Sequence, residues 1–362
     1  MFEQLLRLAA GFTSTKRSCY RLSPAHAFQN CLIINRVRST LTKVQSIQFL
    51  RGIASISVVV FHCSSLSGVS MHVAFLAAGV DIFFVISGIV MALSISDKTK
   101  GIDFLYRRFL RVVPMYWIFT ALAVLFSALQ YGIVPPFSYI FTSLFFLPPA
   151  MGTMPILYPG WSLNFEMFFY LILSVFIITR TPVLYSAVLI AALASIGPIS
   201  GLSSLDYYLS SHLIEFSSGI VIGLFIKNGF VDLSKKLSIT LVFIGFFSLI
   251  LQPQPSSTIG LSWGIPSIFI VVGMLHYNES RLINTPLSRL MGDASYSIYL
   301  AHPFVIWIYG VAFGENLPIQ HILIASILSI IAGLVSFWVL ERPINGAIKK
   351  VTARTSSLPA AA

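Results

Sequence analysis

Long, continuous apolar runs make up most of this chain between residues 45 and 345. Of its 362 residues, 56% are hydrophobic and only 10% are charged, whereas an ordinary soluble domain has about 25% charged residues. A soluble core could not bury so much apolar sequence, so the composition predicts a polytopic membrane protein. A membrane β-barrel would show short segments of alternating polarity. Because the runs here are long and uninterrupted, the predicted fold class is an all-α polytopic membrane protein.

The apolar runs can be counted as candidate membrane spans. Their approximate limits are 45–66, 74–95, 111–130, 160–179, 182–198, 207–226, 237–252, 262–276, 294–313 and 319–340. A further apolar piece at 137–147 is followed by Pro148 and Pro149. It is too short to cross the hydrocarbon core, so it is predicted to be re-entrant or interfacial. The sequence therefore predicts about ten transmembrane helices and one short segment that does not span.

The positions of the basic residues test this count, because cytoplasmic loops of membrane proteins carry an excess of Lys and Arg. If the N-terminus is cytoplasmic, all 23 Lys and Arg residues fall in cytoplasmic segments or at the membrane ends beside them. The predicted outer loops, which contain none, are 67–73, 131–159, 199–206, 253–261 and 314–318. This pattern predicts that both termini are cytoplasmic. It also accounts for the net charge of +11 without a nucleic-acid partner.

The chain divides into three regions of different composition. Residues 1–44 are basic and contain no run long enough to span, so they are predicted to be a flexible N-terminal extension. Residues 45–345 form the predicted transmembrane domain, and residues 346–362 a cytoplasmic tail. The three cysteines show no CxxC or zinc-site spacing, so no metal site is predicted. No internal repeat is visible, which weighs against a secondary transporter.

Two chargeable residues lie inside the first span, QSIQFLRGIASISVVVFHCSSL. Arg51 and His62 are eleven residues apart, which on a helix is three turns plus roughly 20°, with an axial separation of about 16 Å. Polar groups in a membrane helix are costly and usually mark a cavity, so both are predicted to line one. Alternatively, Arg51 anchors the helix at the headgroups and His62 bonds to a neighbouring helix. A histidine can also act as a general base near neutral pH.

Two further stretches place charges near this span. Asp81 lies in GVDIFFVISGIVM, and a carboxylate at this depth needs a partner, so it could orient the imidazole of His62. Arg108 and Arg111, with Arg107 beside them, share a helix surface at the cytoplasmic entrance of the third span. Guanidinium groups suit phosphates. The alternative is that these arginines only set the topology and bind lipid headgroups.

The last two polar stretches are GWSLNFEMFFYLIL and SYSIYLAHPFVIW. In the first, Glu166 lies inside a span, five residues after Trp161, which alone would be an ordinary interface anchor. In the second, Tyr299 and His302 lie along one helix face, although His302 could equally make a structural hydrogen bond. A less explicit companion is HLIEFSSG, where His212 and Glu215 are three residues apart.

Taken in order, these stretches resemble the acyltransferase family 3 membrane proteins. The resemblance rests on Arg51 eleven residues before His62, on the Arg108-x-x-Arg111 pair and on GVDIFFVISGIVM, GWSLNFEMFFY, SYSIYLAHP and the closing Glu341-Arg342-Pro343. It covers residues 45–345. Within the family, the sequences of these stretches look most like those of the bacterial exopolysaccharide-production acetyltransferases. The 44-residue basic start is not part of the family pattern.

The resemblance implies transfer of an acyl group, usually acetyl, from cytoplasmic acyl-CoA to a sugar hydroxyl of an exopolysaccharide or its lipid-linked precursor. The residues expected to act in catalysis are His62, Asp81 and Glu166. Those expected to bind acyl-CoA are Arg51, Arg108 and Arg111. Possible cavity-lining residues are Trp161, Tyr299 and His302.

No tightly bound cofactor is expected, since acetyl-CoA would enter as a substrate. The expected location is the bacterial inner (plasma) membrane, with the bilayer, acyl-CoA and a carbohydrate acceptor as partners. The main alternative from another class is a carrier or flippase for a lipid-linked sugar, which would need a polar cavity too. Dependence of acetyl-CoA consumption on His62 would distinguish the two.

Overall fold

A computed structural model of the protein describes residues 45–149, 153–196, 207–229, 233–252, 262–314 and 316–357. Within these ranges the chain is helical and contains no β-strand, which confirms the predicted all-α class. The predicted N-terminal extension, residues 1–44, lies outside the described residues, as does the end of the predicted tail from residue 358.

The described residues form twelve helices. The first six are α1 (Gln45–Cys63), α2 (Gly79–Ser94), α3 (Gly101–Tyr131), α4 (Phe137–Leu144), α5 (Gly160–Ile178) and α6 (Val183–Ile196). The other six are α7 (His212–Lys227), α8 (Lys235–Leu251), α9 (Gly264–Leu275), α10 (Pro286–Phe313), α11 (Gln320–Ser336) and α12 (Arg342–Ser357). Two 3₁₀ segments, Ser64–Ser67 and Ser70–Ala78, join α1 to α2.

Among the described residues, six helical segments are long and apolar enough to cross a membrane. They are Gln45–Ser67, Ser70–Ser94, Gly101–Tyr131, Gly160–Ile178, Pro286–Phe313 and Gln320–Lys350. Helices Val183–Ile196 and Gly264–Leu275 are shorter but also apolar. The architecture is therefore that of a multi-pass membrane protein, while the number of ten spans and the cytoplasmic termini stay predictions. Helix α4 has eight residues and is about 12 Å long. It lies within the segment 137–147, which was predicted not to span the membrane, and is too short to do so.

Several helices begin earlier than the apolar runs suggested. The third was expected from residue 111, but α3 begins at Gly101 and carries its arginines within the helix. The ninth span was expected from residue 294, but α10 begins at Pro286. There the Thr285 side chain accepts a hydrogen bond from the Ser288 amide, and proline occupies the first turn, which are two favoured ways to start a helix. Counting apolar runs does not detect a helix turn that begins with polar residues.

The described residues form two apolar clusters in the interior of the bundle. The larger one is formed by side chains of α2, α3, α5, α7 and α10, and includes the fully buried Tyr116, Phe169 and Phe216. The smaller one joins α1, α10 and α11 around Val59 and Ile298. Helix α10 contributes to both clusters and so lies at the centre of the bundle. Large apolar side chains cover the outer surfaces, as lipid-facing helices require.

Helices α2 and α7 pack unusually close together. A methyl group on Gly88 would collide with the backbone of Phe216, and one on Gly219 would collide with the backbone of Val85. Further along, Gly223 lies against Ala92. The contacts advance in the same direction along both helices, so α2 and α7 are parallel. Small residues allow this approach, as they do in other membrane helix pairs.

Two helices depart from regular α-helical geometry near the centre of the bundle. Helix α10 contains Pro303, which has no amide hydrogen to donate to the carbonyl one turn earlier, that of Tyr299. Helix α11 continues into a π-helical turn, Phe337–Glu341, before α12 begins. Such turns often lie at functional sites, and this one ends at the buried carboxylate of Glu341.

Candidate functional site

A polar cavity of about 100 Å³ lies between α1, α2, α3, α5 and α10. Its walls are apolar on the α2 side, where Phe83 and Phe84 contribute. The polar side chains that define it are Arg51, Arg108, Arg111, Glu166, Tyr296 and Tyr299. Three guanidinium groups around one cavity provide the positive charge and the hydrogen-bond donors that an anion would require.

The three arginines come from two helices, Arg51 from α1 and Arg108 and Arg111 from α3. Arg108 donates a hydrogen bond to Ser94 Oγ at 2.9 Å, and its guanidinium lies 5.4 Å from the centre of the Phe104 ring. None of the three makes a direct ion pair with a carboxylate of the described residues. Their hydrogen-bonding capacity is therefore largely available to a ligand, and guanidinium groups bind phosphates well.

Two carboxylates partly balance this positive charge. Glu166 lines the cavity and accepts hydrogen bonds from Ser87 Oγ at 2.9 Å and from the Tyr170 hydroxyl at 2.5 Å. Glu341, at the end of the π-helical turn, accepts one from Ser297 Oγ at 2.5 Å and interacts electrostatically with Arg111 and Arg51. Three arginines against two carboxylates leave an excess positive charge, as an anion site requires.

His62 lies in a different environment at the far end of α1. Its ring stacks on that of His302, with 5.1 Å between centroids and 21° between planes, and lies 4.9 Å from the ring of Tyr158. His302 is fully buried, and neither ring nitrogen makes a hydrogen bond of normal geometry with a described residue. Burial raises the pKa of Tyr158 well above its ordinary value, so this phenol stays protonated.

Tyr299 lies between the arginine cavity and the two histidines. It lines the cavity, and its ring centre is 5.9 Å from that of His302. Its hydroxyl donates to the Pro159 carbonyl oxygen at 3.1 Å and lies 2.8 Å from Ser162 Oγ. These bonds, made to the start of α5, hold the ring as a wall between the two regions.

The structure brings together only some of the residues that the sequence singled out. Arg51, Arg108, Arg111, Glu166 and Tyr299 share the cavity. His62, expected to line the same cavity as Arg51, is not among the residues that line it. The ring of Tyr299 lines the cavity and contacts that of His302, which in turn stacks on His62.

The other expected site residues lie elsewhere. Asp81 lies with His212 and Glu215 rather than with His62. Trp161 packs against Phe84, Phe165 and His212 and does not line the cavity. His302 contacts His62 but does not reach the cavity either.

Three residues of the site were not anticipated from the sequence. Tyr296 lies three residues before Tyr299, so helical spacing could have identified it. Glu341 was noted only as part of a closing motif, since no pattern predicts the π-helical turn that turns it toward the arginines. Tyr158 belongs to a connecting segment, where no periodicity indicates the direction of a side chain.

The chain is similar in sequence to a family model and to two named proteins. A family model described as an acyltransferase domain matches residues 44–339. The chain is 33% identical over 318 residues to "Exopolysaccharide production protein ExoZ" of Rhizobium meliloti (strain 1021), covering 81% of this chain and 97% of that protein. It is 23% identical over 273 residues to "Acyltransferase MdmB" of Streptomyces mycarofaciens, covering 65% of this chain and 70% of that protein. No solved structure matches significantly.

Proposed function

The chain belongs to acyltransferase family 3, and from this premise we propose that it moves an acetyl group from acetyl-CoA to a hydroxyl of an exopolysaccharide or its lipid-linked precursor. The similarity to a protein named for exopolysaccharide production supports the acceptor class. The proposal places the enzyme in the inner membrane, where a cytoplasmic donor and a lipid-linked acceptor can both reach a membrane-embedded site.

The arginine cavity is the observation that carries this proposal. Three guanidinium groups inside a membrane domain are costly, and Arg51, Arg108 and Arg111 are not neutralised by direct ion pairs with described carboxylates. Phosphate groups satisfy such a site because their oxygens accept several charge-assisted hydrogen bonds. CoA carries phosphates at one end and the acyl thioester at the other, joined by an extended, flexible arm. In our proposal the phosphates bind here and the arm runs inward.

The chemical step is assigned to His62. As a general base, its imidazole takes the proton of the acceptor hydroxyl while the hydroxyl oxygen attacks the thioester carbonyl carbon. The carbon–sulfur bond then breaks, and the CoA thiolate leaves and recovers the proton from His62. An acetyl-histidine intermediate is the other route that the same residue allows. The Tyr158 phenol, which keeps its proton, lies beside His62 as a hydrogen-bond donor for the developing oxyanion.

Two of the predicted catalytic residues take other parts in this proposal. Glu166 faces the arginines through the cavity, so it positions the guanidinium groups rather than the imidazole. Asp81 is engaged with His212 and Glu215 and has no assigned role in the transfer. To reach His62, the thioester end of the donor has to pass Tyr299.

The test uses membranes from cells that express the full chain. Isotopically labelled acetyl-CoA is supplied with polysaccharide or lipid-linked acceptor. Mass spectrometry of the product then measures how much of the label has been transferred. The proposal expects acetylated carbohydrate and free CoA, both lost in His62→Ala. Sugar translocation without CoA release would instead support a carrier, and label transfer that persists in His62→Ala would remove His62 from the reaction.

A further inference from the structure

Asp81, His212 and Glu215 form a cluster outside the acyl-transfer site. They lie near the first turns of the parallel helices α2 and α7, beyond the glycine contacts that bring these helices together. One ligand atom from each residue lies within 4.8 Å of the others. Two buried carboxylates at this separation repel each other unless a positive charge lies between them.

The distance between His212 and Glu215 is informative. Nδ1 of His212 lies 3.4 Å from Oε1 of Glu215, longer than the about 2.7–2.9 Å of a charge-assisted hydrogen bond. A metal ion held by bonds of about 2.1 Å in tetrahedral geometry sets adjacent ligand atoms about 3.4 Å apart. The spacing is compatible with two ligands of one ion as well as with a long hydrogen bond, and an ion would draw the three ligand atoms, now up to 4.8 Å apart, closer together.

The unpaired oxygen of Glu215 points to the same conclusion. The Glu215 side chain is fully buried, and when both carboxylates are ionised its Oε2 atom has no hydrogen-bond donor among the described residues; a proton shared with the Asp81 carboxyl group or a bound cation can occupy this position. Leaving such an atom unsatisfied is expensive in a protein interior. Asp81 is also buried, with 4% of its surface exposed. A cation between these carboxylates would satisfy both.

The surroundings hold the three side chains in place. The ring of His212 is packed against those of Phe84, Trp161 and Phe165, with centroid distances of 5.3–5.6 Å. Gly264 at the start of α9 supports Glu215, since a Cβ atom there would lie 2.7 Å from Oε1. The His212 side chain keeps 29% of its surface accessible, which provides an entry path for an ion.

We propose that Asp81, His212 and Glu215 bind a first-row divalent cation, Zn²⁺ or Mn²⁺, that ties α2 to α7. One imidazole nitrogen and two carboxylate oxygens are a common donor set for these ions. The site is separate from the acyl transfer and supplies no step of it. A bound ion would instead fix the wall formed by Phe84, which also lines the arginine cavity.

The test measures metal in the full-length protein, purified in detergent without chelators and without a histidine tag. Elemental analysis is expected to find about one Zn or Mn per chain. Removing the metal with a chelator should lower the melting temperature by about 5 °C or more, and adding Zn²⁺ or Mn²⁺ back should restore it. Cobalt substitution should give the visible absorption bands of a tetrahedral site.

Single variants identify the ligands. Asp81→Asn, His212→Gln and Glu215→Gln should each weaken metal binding at least about tenfold, whereas Asp103→Asn, an exposed carboxylate, should not change it. If the variants fail to fold, the chelator cycle on the wild-type protein still decides. A wild-type protein that shows no saturable binding of Zn²⁺ or Mn²⁺ overturns the proposal, and so does unchanged binding in folded Glu215→Gln.

Discussion

The arginine cavity and the histidine stack are opposite kinds of polar site on the same helix. At the Arg51 level the carboxylates are hydrogen-bonded, and an excess positive charge surrounds an open space. At the His62 level the rings contact other rings, and the His302 nitrogens make no hydrogen bond of normal geometry with a described residue. The first arrangement suits binding of an anion. The second, without fixed charges, suits proton transfer, so the proposed binding and the proposed chemistry lie at different levels of α1.

The largest expected effect comes from removing the imidazole of His62. In His62→Ala, transfer of acetyl to carbohydrate should fall about 100- to 10,000-fold, as for loss of a general base. The dissociation constant for acetyl-CoA should stay the same, because the donor phosphates bind elsewhere. His72→Ala, which removes an exposed histidine from the segment after α1, is the control. A large loss of donor affinity in His62→Ala would break the proposed separation.

The next effect concerns the arginines. Each of Arg108→Ala and Arg111→Ala removes charge-assisted hydrogen bonds of about 1.5–3 kcal/mol, so the acetyl-CoA dissociation constant should rise about 10- to 100-fold. Isothermal titration with purified protein measures it. Arg107→Ala provides a matched control, because Arg107 belongs to the same helix but, unlike Arg108 and Arg111, does not line the cavity. Equal losses of acetyl-CoA affinity in all three variants would mean that the total positive charge, and not a position in the cavity, determines binding.

A smaller effect is expected at the boundary between the two regions. Tyr299→Phe keeps the ring but loses the hydroxyl that bonds to Pro159 and lies beside Ser162. The free energy of unfolding should fall by about 1 kcal/mol, while acetyl-CoA affinity stays unchanged, as thermal denaturation and titration would show. A marked loss of donor affinity would instead make Tyr299 part of the binding site.

The smallest effect, and one of opposite sign, is expected at His302. His302→Phe keeps a ring stacked on His62 and removes two buried nitrogens that make no hydrogen bond of normal geometry with a described residue. Replacing an unsatisfied polar group with an apolar one of similar shape should stabilise the protein by about 1 kcal/mol, a rise of a few degrees in melting temperature. A lower melting temperature would show that these nitrogens have partners in the membrane.

The sequence predicted the helical membrane class and the family, because long apolar runs and ordered motifs can be recognised without any knowledge of tertiary packing. It also singled out Arg51, Arg108, Arg111 and Glu166 as charges that no lipid-facing helix tolerates, and these four do line one cavity, but it expected His62, Trp161 and His302 there too. It failed on the partners of individual groups. Asp81 was expected near His62, but its neighbours are set by the register of α2 against α7, which depends on which glycines meet.

The same limit applies to His62 itself. Helical periodicity placed it on the face of Arg51, and this says nothing about the rings that fill the space between them. Tyr158 comes from a connecting segment and His302 from α10, so their convergence on His62 is a tertiary result. The predicted starts of some helices were wrong for a local reason, because a polar first turn such as that of α10 is not part of an apolar run.

The π-helical turn at Phe337–Glu341 has a consequence for how this enzyme could change over evolution. A π-helical turn contains one residue more than the α-helical turn that it replaces. Deleting one residue there would restore the regular helix and rotate Glu341 by roughly 100°, away from Ser297 and the arginines. The charge balance around the arginine cavity thus depends on the length of this segment as much as on its composition, and a one-codon deletion could change it without altering any residue that lines the cavity.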